Sequence, residues 1–141
     1  MKATILTVIA CVLGFGVGCG VNMALILVGP QVIPPPAGVD VSKIESMRAS
    51  IHLFEAKHFL FPFLAHAMGT LVGALVGSLV AVRSRSRISF GIGVAFLTGG
   101  VAAAMMIPAP AWFIGLDLLV AYLPMAWIGG RIGMRLKPQE A

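Results

Sequence analysis

The chain has 141 residues, 59% hydrophobic and only 11% charged, with a formal net charge of +5 and a mean hydropathy of +1.00. Soluble domains carry about 25% charged residues, so this composition belongs to a membrane protein and excludes a soluble domain beside the membrane part. The basic excess does not point to nucleic acid, because those residues flank apolar segments, where membrane topology accounts for them.

Four apolar runs, 3–29, 59–82, 88–107 and 111–130, are separated by Pro-rich, mixed-charge or basic stretches. Each is long enough to cross about 30 Å of hydrocarbon at about 1.5 Å per residue. The expected fold is all-α: one domain over 1–141, a four-helix transmembrane bundle with a long connection, 30–58, between spans one and two. Lys2, Arg83, Arg85, Arg87, Arg131, Arg135 and Lys137 share one side. On the other side Lys43, Arg48 and Lys57 are balanced by Asp40, Glu45 and Glu55. The positive-inside rule therefore places both termini and the Arg83–Arg87 turn in the cytoplasm, N-in/C-in, and the 30–58 connection outside.

In the first run, Gly14 and Gly18 form a small-xxx-small pair, and Asn22 follows one turn later. Close helix packing with an interhelical amide bond is the plainer expectation, and a ligand contact through Asn22 the alternative. Cys11 and Cys19 would lie about 12 Å apart on one helix, too far for a disulfide. Val8-Ile9-Ala10-Cys11 resembles a lipoprotein cleavage box, but only ten residues precede the cysteine and the apolar run continues past it. The run reads as a retained signal anchor.

After Gly29-Pro30 the sequence predicts an extended Pro34-Pro35-Pro36 piece and a turn at Gly38. Ser42-Lys43-Ile44-Glu45 has the pattern of a helix capping box. Ile44, Met47, Ile51 and Phe54 then make an amphipathic stripe, on a helix that either rests on the bilayer surface or folds over the bundle mouth.

The second run is entered through Glu55, His58 and Pro62, and continues through His66 to Gly69, Gly73 and Gly77. At about 100° per residue, Glu55, His66 and the three glycines fall within about 40° of one line, with His58 about 60° away. Pro62 either sits in the first turn of the span or separates an outer helix from it. The glycines predict tight helix contact, within the bundle or in a homo-oligomer. The third run holds Thr98 among glycines, and Pro108-Ala109-Pro110 links it tightly to the fourth. The fourth holds Asp117, Tyr122 and Pro124, which should bend it or loosen its inner half. Trp112, Phe113 and Trp127 suit interfacial belts.

Asn22, His66, Thr98 and Asp117 all lie roughly 9–14 Å below the outer interface by residue count. A buried Asp must be paired or protonated, so Asp117 should face the interior, with His66 its best partner. This layer is either a register-fixing clasp or a proton or cation site, with His52, Glu55 and His58 as its outer mouth. A transition-metal site on Glu55, His58 and His66 is a further alternative, since Glu55 and His58 have the i, i+3 spacing of bundle metal sites. A Cu(I) site at Cys19 and Met23 with Met68 or Met105 is a weaker one. Otherwise no cofactor is expected. No nucleophile elbow, redox cysteine pair, phosphate loop or HExxH motif is present.

The segments Ile33–Pro36, Gly38–Asp40, His52–Phe59, Phe61–Ala67, Gly69–Gly73 and Trp112–Trp127 together resemble a group of small bacterial four-helix integral membrane proteins. The resemblance covers most of the chain and implies the bacterial cytoplasmic (inner) membrane, but it carries no activity. In size and helix count alone the chain also resembles small accessory subunits of membrane complexes. The expected function is a non-enzymatic membrane protein whose buried polar cluster binds or relays a proton or cation. The alternatives are an accessory or scaffolding subunit and a metal-dependent membrane enzyme. Expected partners are the lipid bilayer and either a second copy or a membrane-complex subunit, with no nucleic acid.

Overall fold

A computed structural model describes residues 2–137, and within them every regular element is helical. The elements are α1 (Lys2–Val32), α2 (Ile44–Ser50), short 3-10 turns at Ile51–Leu53 and Ala56–Phe59, α3 (Leu60–Val80), α4 (Arg85–Met106), α5 (Ala111–Val120) and α6 (Leu123–Leu136). Four segments are long and apolar enough to cross a membrane: Thr4–Val32, Ala56–Val80, Arg85–Met106 and Ala111–Leu136, the last made of α5 and α6 together.

Helix boundaries differ from expectation at Pro30 and Arg85, and Pro62 takes one of its two expected places. α1 does not stop at Gly29 but runs through Pro30 to Val32. Proline removes only one donor, and the turn around it continues because the Ile33 N–H reaches the Gly29 carbonyl at 2.8 Å. Gly29 also seats Phe61 so closely that a methyl there would lie 2.7 Å from the Phe61 Cβ. Pro62 falls in the first turn of α3, where its missing N–H costs nothing. At the other end α4 starts at Arg85, after Ser84, which has φ 53°. Arg85 is buried. Its guanidinium donates to the carbonyls of Ala81, at the end of α3, and Lys137, after α6. One of the residues expected to set topology thus also ties three helix ends together.

α3 is the central helix, packed on α1, α4 and α6, and Ile92 and Phe96 of α4 also reach the α1 glycines. Apolar burial drives helix association weakly in lipid, so close backbone approach and dispersion carry more of the packing. Gly14 and Gly18 of α1 interlock with Gly69, Gly73 and Gly77 of α3. A methyl on Gly18 would lie 2.6 Å from the Gly69 carbonyl, and one on Gly73 2.8 Å from that of Gly14. This glycine face is therefore used inside one bundle. Gly16 and Gly20, two residues out of phase, meet nothing within 4 Å. Across α3, Gly129 and Gly133 of α6 approach the Leu71 carbonyl and the Ser78 hydroxyl, and Gly93 of α4 meets Ala126.

The Ser42–Glu45 capping box does not form: α2 begins after Lys43 with no side-chain cap. Asp40 takes its place. Its carboxylate accepts from the Ser42 N–H at 3.0 Å and from the Ser42 hydroxyl, and its own N–H donates to the Ser46 hydroxyl at 2.9 Å. The Ser42 hydrogen bonds, then Lys43, hold the Asp40 carboxyl below its ordinary range. The proline-rich approach positions Asp40 to compete for Ser42, so the turn wins over the cap. Arg48 donates to the Met106 carbonyl at 2.6 Å, fastening α2 to the otherwise unsatisfied end of α4.

The two phases of glycine in α1 should behave oppositely. Gly18→Ala must force α1 from α3 and cost about 1–3 kcal/mol, as overpacking does. Gly20→Ala should cost nothing, and comparison of the two unfolding midpoints in detergent checks this.

Candidate functional site

The fourth span is broken near its middle. α5 closes with the Ala121 N–H on the Asp117 carbonyl at 2.9 Å, and α6 opens with the Ala126 N–H on the Tyr122 carbonyl at 2.8 Å. Tyr122 itself is non-helical, with φ −115° and ψ −81°. Pro124 lies in the first turn of α6 and has no N–H for the Val120 carbonyl, which explains why the ladder stops here. The break turns Tyr122 into the bundle, where it is 1% exposed. Gly100 of α4 makes the room: a methyl there would collide with the Tyr122 ring and hydroxyl.

Asp117 is the hub of the site. His66 Nδ1 lies 2.9 Å from each of its carboxylate oxygens, and the Tyr122 hydroxyl donates to Oδ2 at 2.8 Å. The Asp117 side chain is 6% exposed, so an ionised carboxylate here depends on those two donors. The arrangement places the Nδ1 proton of His66 on the carboxylate, and in neutral His66 leaves Nε2 as a lone-pair acceptor. Nε2 makes no hydrogen bond within the protein among the described residues, and the His66 side chain is 21% exposed. Thr70 donates to the His66 carbonyl at 2.8 Å, occupying its hydroxyl one turn below.

His66 and Asp117 line a cavity of about 300 Å³ at the end of the bundle that carries the 33–59 connection. Small residues border it: Gly29 of α1, and Gly100, Ala103 and Ala104 of α4. Phe54, Phe59, Phe61 and Phe113 supply aromatic walls, and Met47 and Ile51 from the connection close over it. His58 also lines the cavity. Its Nδ1 accepts the Glu55 N–H at 2.9 Å, which puts the proton of neutral His58 on Nε2.

Other candidates lie elsewhere. Asn22 is half-buried and packs its Cβ toward Gly69, without joining the cluster. Thr98 faces outward and donates to the Val94 carbonyl of its own helix at 2.9 Å, so it is not part of the layer. Residue counting assigned both a depth but could not say which way they point. His52 and Glu55 are exposed, and Glu55 pairs with Lys57 at 3.1 Å.

The metal alternatives are corrected on geometry. Glu55 stands before the first turn with extended backbone, φ −87° and ψ 165°, so the helical i, i+3 alignment with His58 does not arise. His58 spends Nδ1 on the Glu55 backbone and His66 spends Nδ1 on Asp117. Among the described residues no three His, Cys, Asp or Glu side chains are grouped to hold a metal ion. Cys19 is half-buried against the core, whereas Met23, Met68 and Met105 point outward at 56%, 39% and 78% exposure. What sequence reasoning missed is Tyr122 as a third member of the cluster. The available signal was Pro124, placed to break the helix two residues after a tyrosine and seven after an aspartate.

Comparison with known protein families, characterised proteins and solved structures finds no match to this chain.

Tyr122→Phe should lower stability by about 1.5–3 kcal/mol, the range for a hydrogen bond to a charged group. Gly100→Val should cost at least as much, because it expels the ring. In both variants the shift should appear in the melting temperature of detergent-purified protein.

Proposed function

We propose that this chain is a small non-enzymatic protein of the bacterial cytoplasmic membrane that binds and releases a proton at the His66–Asp117 pair. The observation that carries the reading is the placement of His66: Nδ1 on a buried carboxylate, and the opposite ring edge available to a cavity. A carboxylate and an imidazole sharing a proton in apolar surroundings are the usual elements of a membrane proton site. The pairing lets His66 change charge while Asp117 stays ionised, so the centre alternates between one net negative charge and none.

Seven basic residues at one end support N-in/C-in orientation, with the 33–59 connection and the cavity facing outside. Trp127, stacked under Arg131 at 4.9 Å, suits the cytoplasmic interface, and Trp112 the outer one. Met47, Ile51 and Phe54 line the cavity, which favours the amphipathic segment as a lid over a surface anchor.

Thr70, Ser78 and Ser89 are buried, and their hydroxyls donate to the carbonyls of His66, Leu75 and Ala74. In this reading the proton enters and leaves through the cavity. An accessory subunit with a purely structural clasp is the second reading. It is favoured by the way Tyr122 and His66 already satisfy Asp117 without a ligand.

The two readings part on pH. Stability of the purified protein should depend on pH, because a proton on His66 changes the charge of the centre. His66→Gln and Asp117→Asn should flatten that profile, and a His52→Gln/His58→Gln double variant should keep it. Nitrogen NMR should find the proton of neutral His66 on Nδ1. A flat wild-type profile establishes the clasp.

A further inference from the structure

We propose that the loop-end cavity binds a lipid-soluble amine in its cationic form, in exchange for the proton on His66. This rests on the proton-site reading above and extends it to a ligand class. Three features of the cavity point the same way.

The first is charge. Among the described residues Asp117 is the only Asp or Glu lining the cavity, and no lysine or arginine lines it. With His66 neutral, the apolar interior holds one negative charge, shared between two hydrogen-bond donors but not neutralised. A buried charge favours a counter-charge, and either a proton on His66 Nε2 or a cation beside it supplies one. Both together would leave a net positive charge in the same apolar space, so the two compete.

The second is hydrogen bonding. Nε2 of neutral His66 is an acceptor without a partner, because its proton is on Nδ1 facing Asp117. A ligand N–H can donate to it. A carboxylate ligand would find an acceptor and a carboxylate at the cavity floor, and only the His58 donor near its mouth.

The third is the wall. Phe54, Phe59, Phe61 and Phe113 border the cavity, and Phe59 and Phe113 lie 4.8 Å apart between ring centroids. Aromatic faces attract an ammonium group and also accommodate its apolar substituents. A volume of about 300 Å³ lies at the small end of small-molecule sites and suits a compact arylalkyl chain.

Among the other titratable groups, Tyr122 donates to Asp117, and His58 gives its Nδ1 to the Glu55 backbone. α1, α2 and α4 contribute no titratable side chain to the cavity lining. In the exchange the ammonium nitrogen takes the place opposite Nε2. The imidazolium loses its Nε2 proton to solvent on the loop side. Nδ1 keeps its proton on Asp117, and the net charge of the centre does not change.

The test is a matched series on the full protein in detergent: phenylbutylamine, phenylbutanol and phenylbutyrate, by calorimetry. The amine should bind saturably and at least tenfold more tightly than the alcohol, and the carboxylate should not bind. Asp117→Asn should erase the preference for amine over alcohol. Ala104→Leu, which fills the cavity without touching a polar group, should remove binding of both. Where the free centre carries the proton, amine binding should release it, read from the dependence of heat on buffer ionisation, and His66→Gln should release none. Equal binding of amine and alcohol, or binding that survives Ala104→Leu, overturns the proposal. Should Asp117→Asn fail to fold, the wild-type series and Ala104→Leu still decide it. The amine–alcohol contrast is read at one pH, so it can fail while the pH profile of the free protein stands.

Discussion

A carboxylate inside an apolar helical bundle is the constraint on which this structure turns. Asp117 is almost fully enclosed, and an isolated ionised carboxylate there would cost several kcal/mol even after relaxation. The chain answers with two donors from different places: His66 on α3 and Tyr122 at the junction of α5 and α6. Neither donor can arrive without a particular feature of the backbone. His66 needs α3 to begin early enough for its ring to face the fourth span, and Pro62 in the first turn allows this. Tyr122 needs the fourth span to break, and Pro124 breaks it.

Small residues then do two different jobs along the same helices. Toward the arginine end, Gly14, Gly18, Gly73 and Gly77 let α1 and α3 approach until backbone touches backbone. Near the loop end, Gly29 and Gly100 remove side chains where Phe61 and Tyr122 are large, and the alanines of α4 leave the remainder open. The first arrangement makes a rigid zipper and the second a cavity.

The connection between α1 and α3 belongs to the same design. Asp40 organises the turn before α2, and Arg48 fastens α2 to the last carbonyls of α4. Glu55 and His58 complete the entry to α3 by a backbone-to-imidazole bond. Each contact uses a polar side chain to satisfy backbone at an element end, where unpaired groups concentrate. The result brings Met47, Ile51 and Phe54 over the cavity. Glu55 and His58, whose spacing suggests a metal motif, serve here as a helix entry.

The sequence alone determined the class of this protein. Apolar runs of sufficient length, basic residues at their ends and glycines at i, i+4 are local or periodic signals, and the four helices follow from them, whereas the pairing of the glycine faces between α1 and α3 does not. Residue counting also put Asp117 and His66 at one depth, and the expense of a buried carboxylate made their contact the natural expectation. Tertiary structure alone decided direction. Depth does not specify rotation, so Thr98 and Asn22, at the same level, face outward or toward α3, and Glu55 leaves the helix on which periodicity placed it. Tyr122 joined the cluster because a proline freed its backbone and a glycine on another helix left room for its ring. That coincidence involves residues 22 positions apart in the chain, between Gly100 and Tyr122, and no local pattern encodes it.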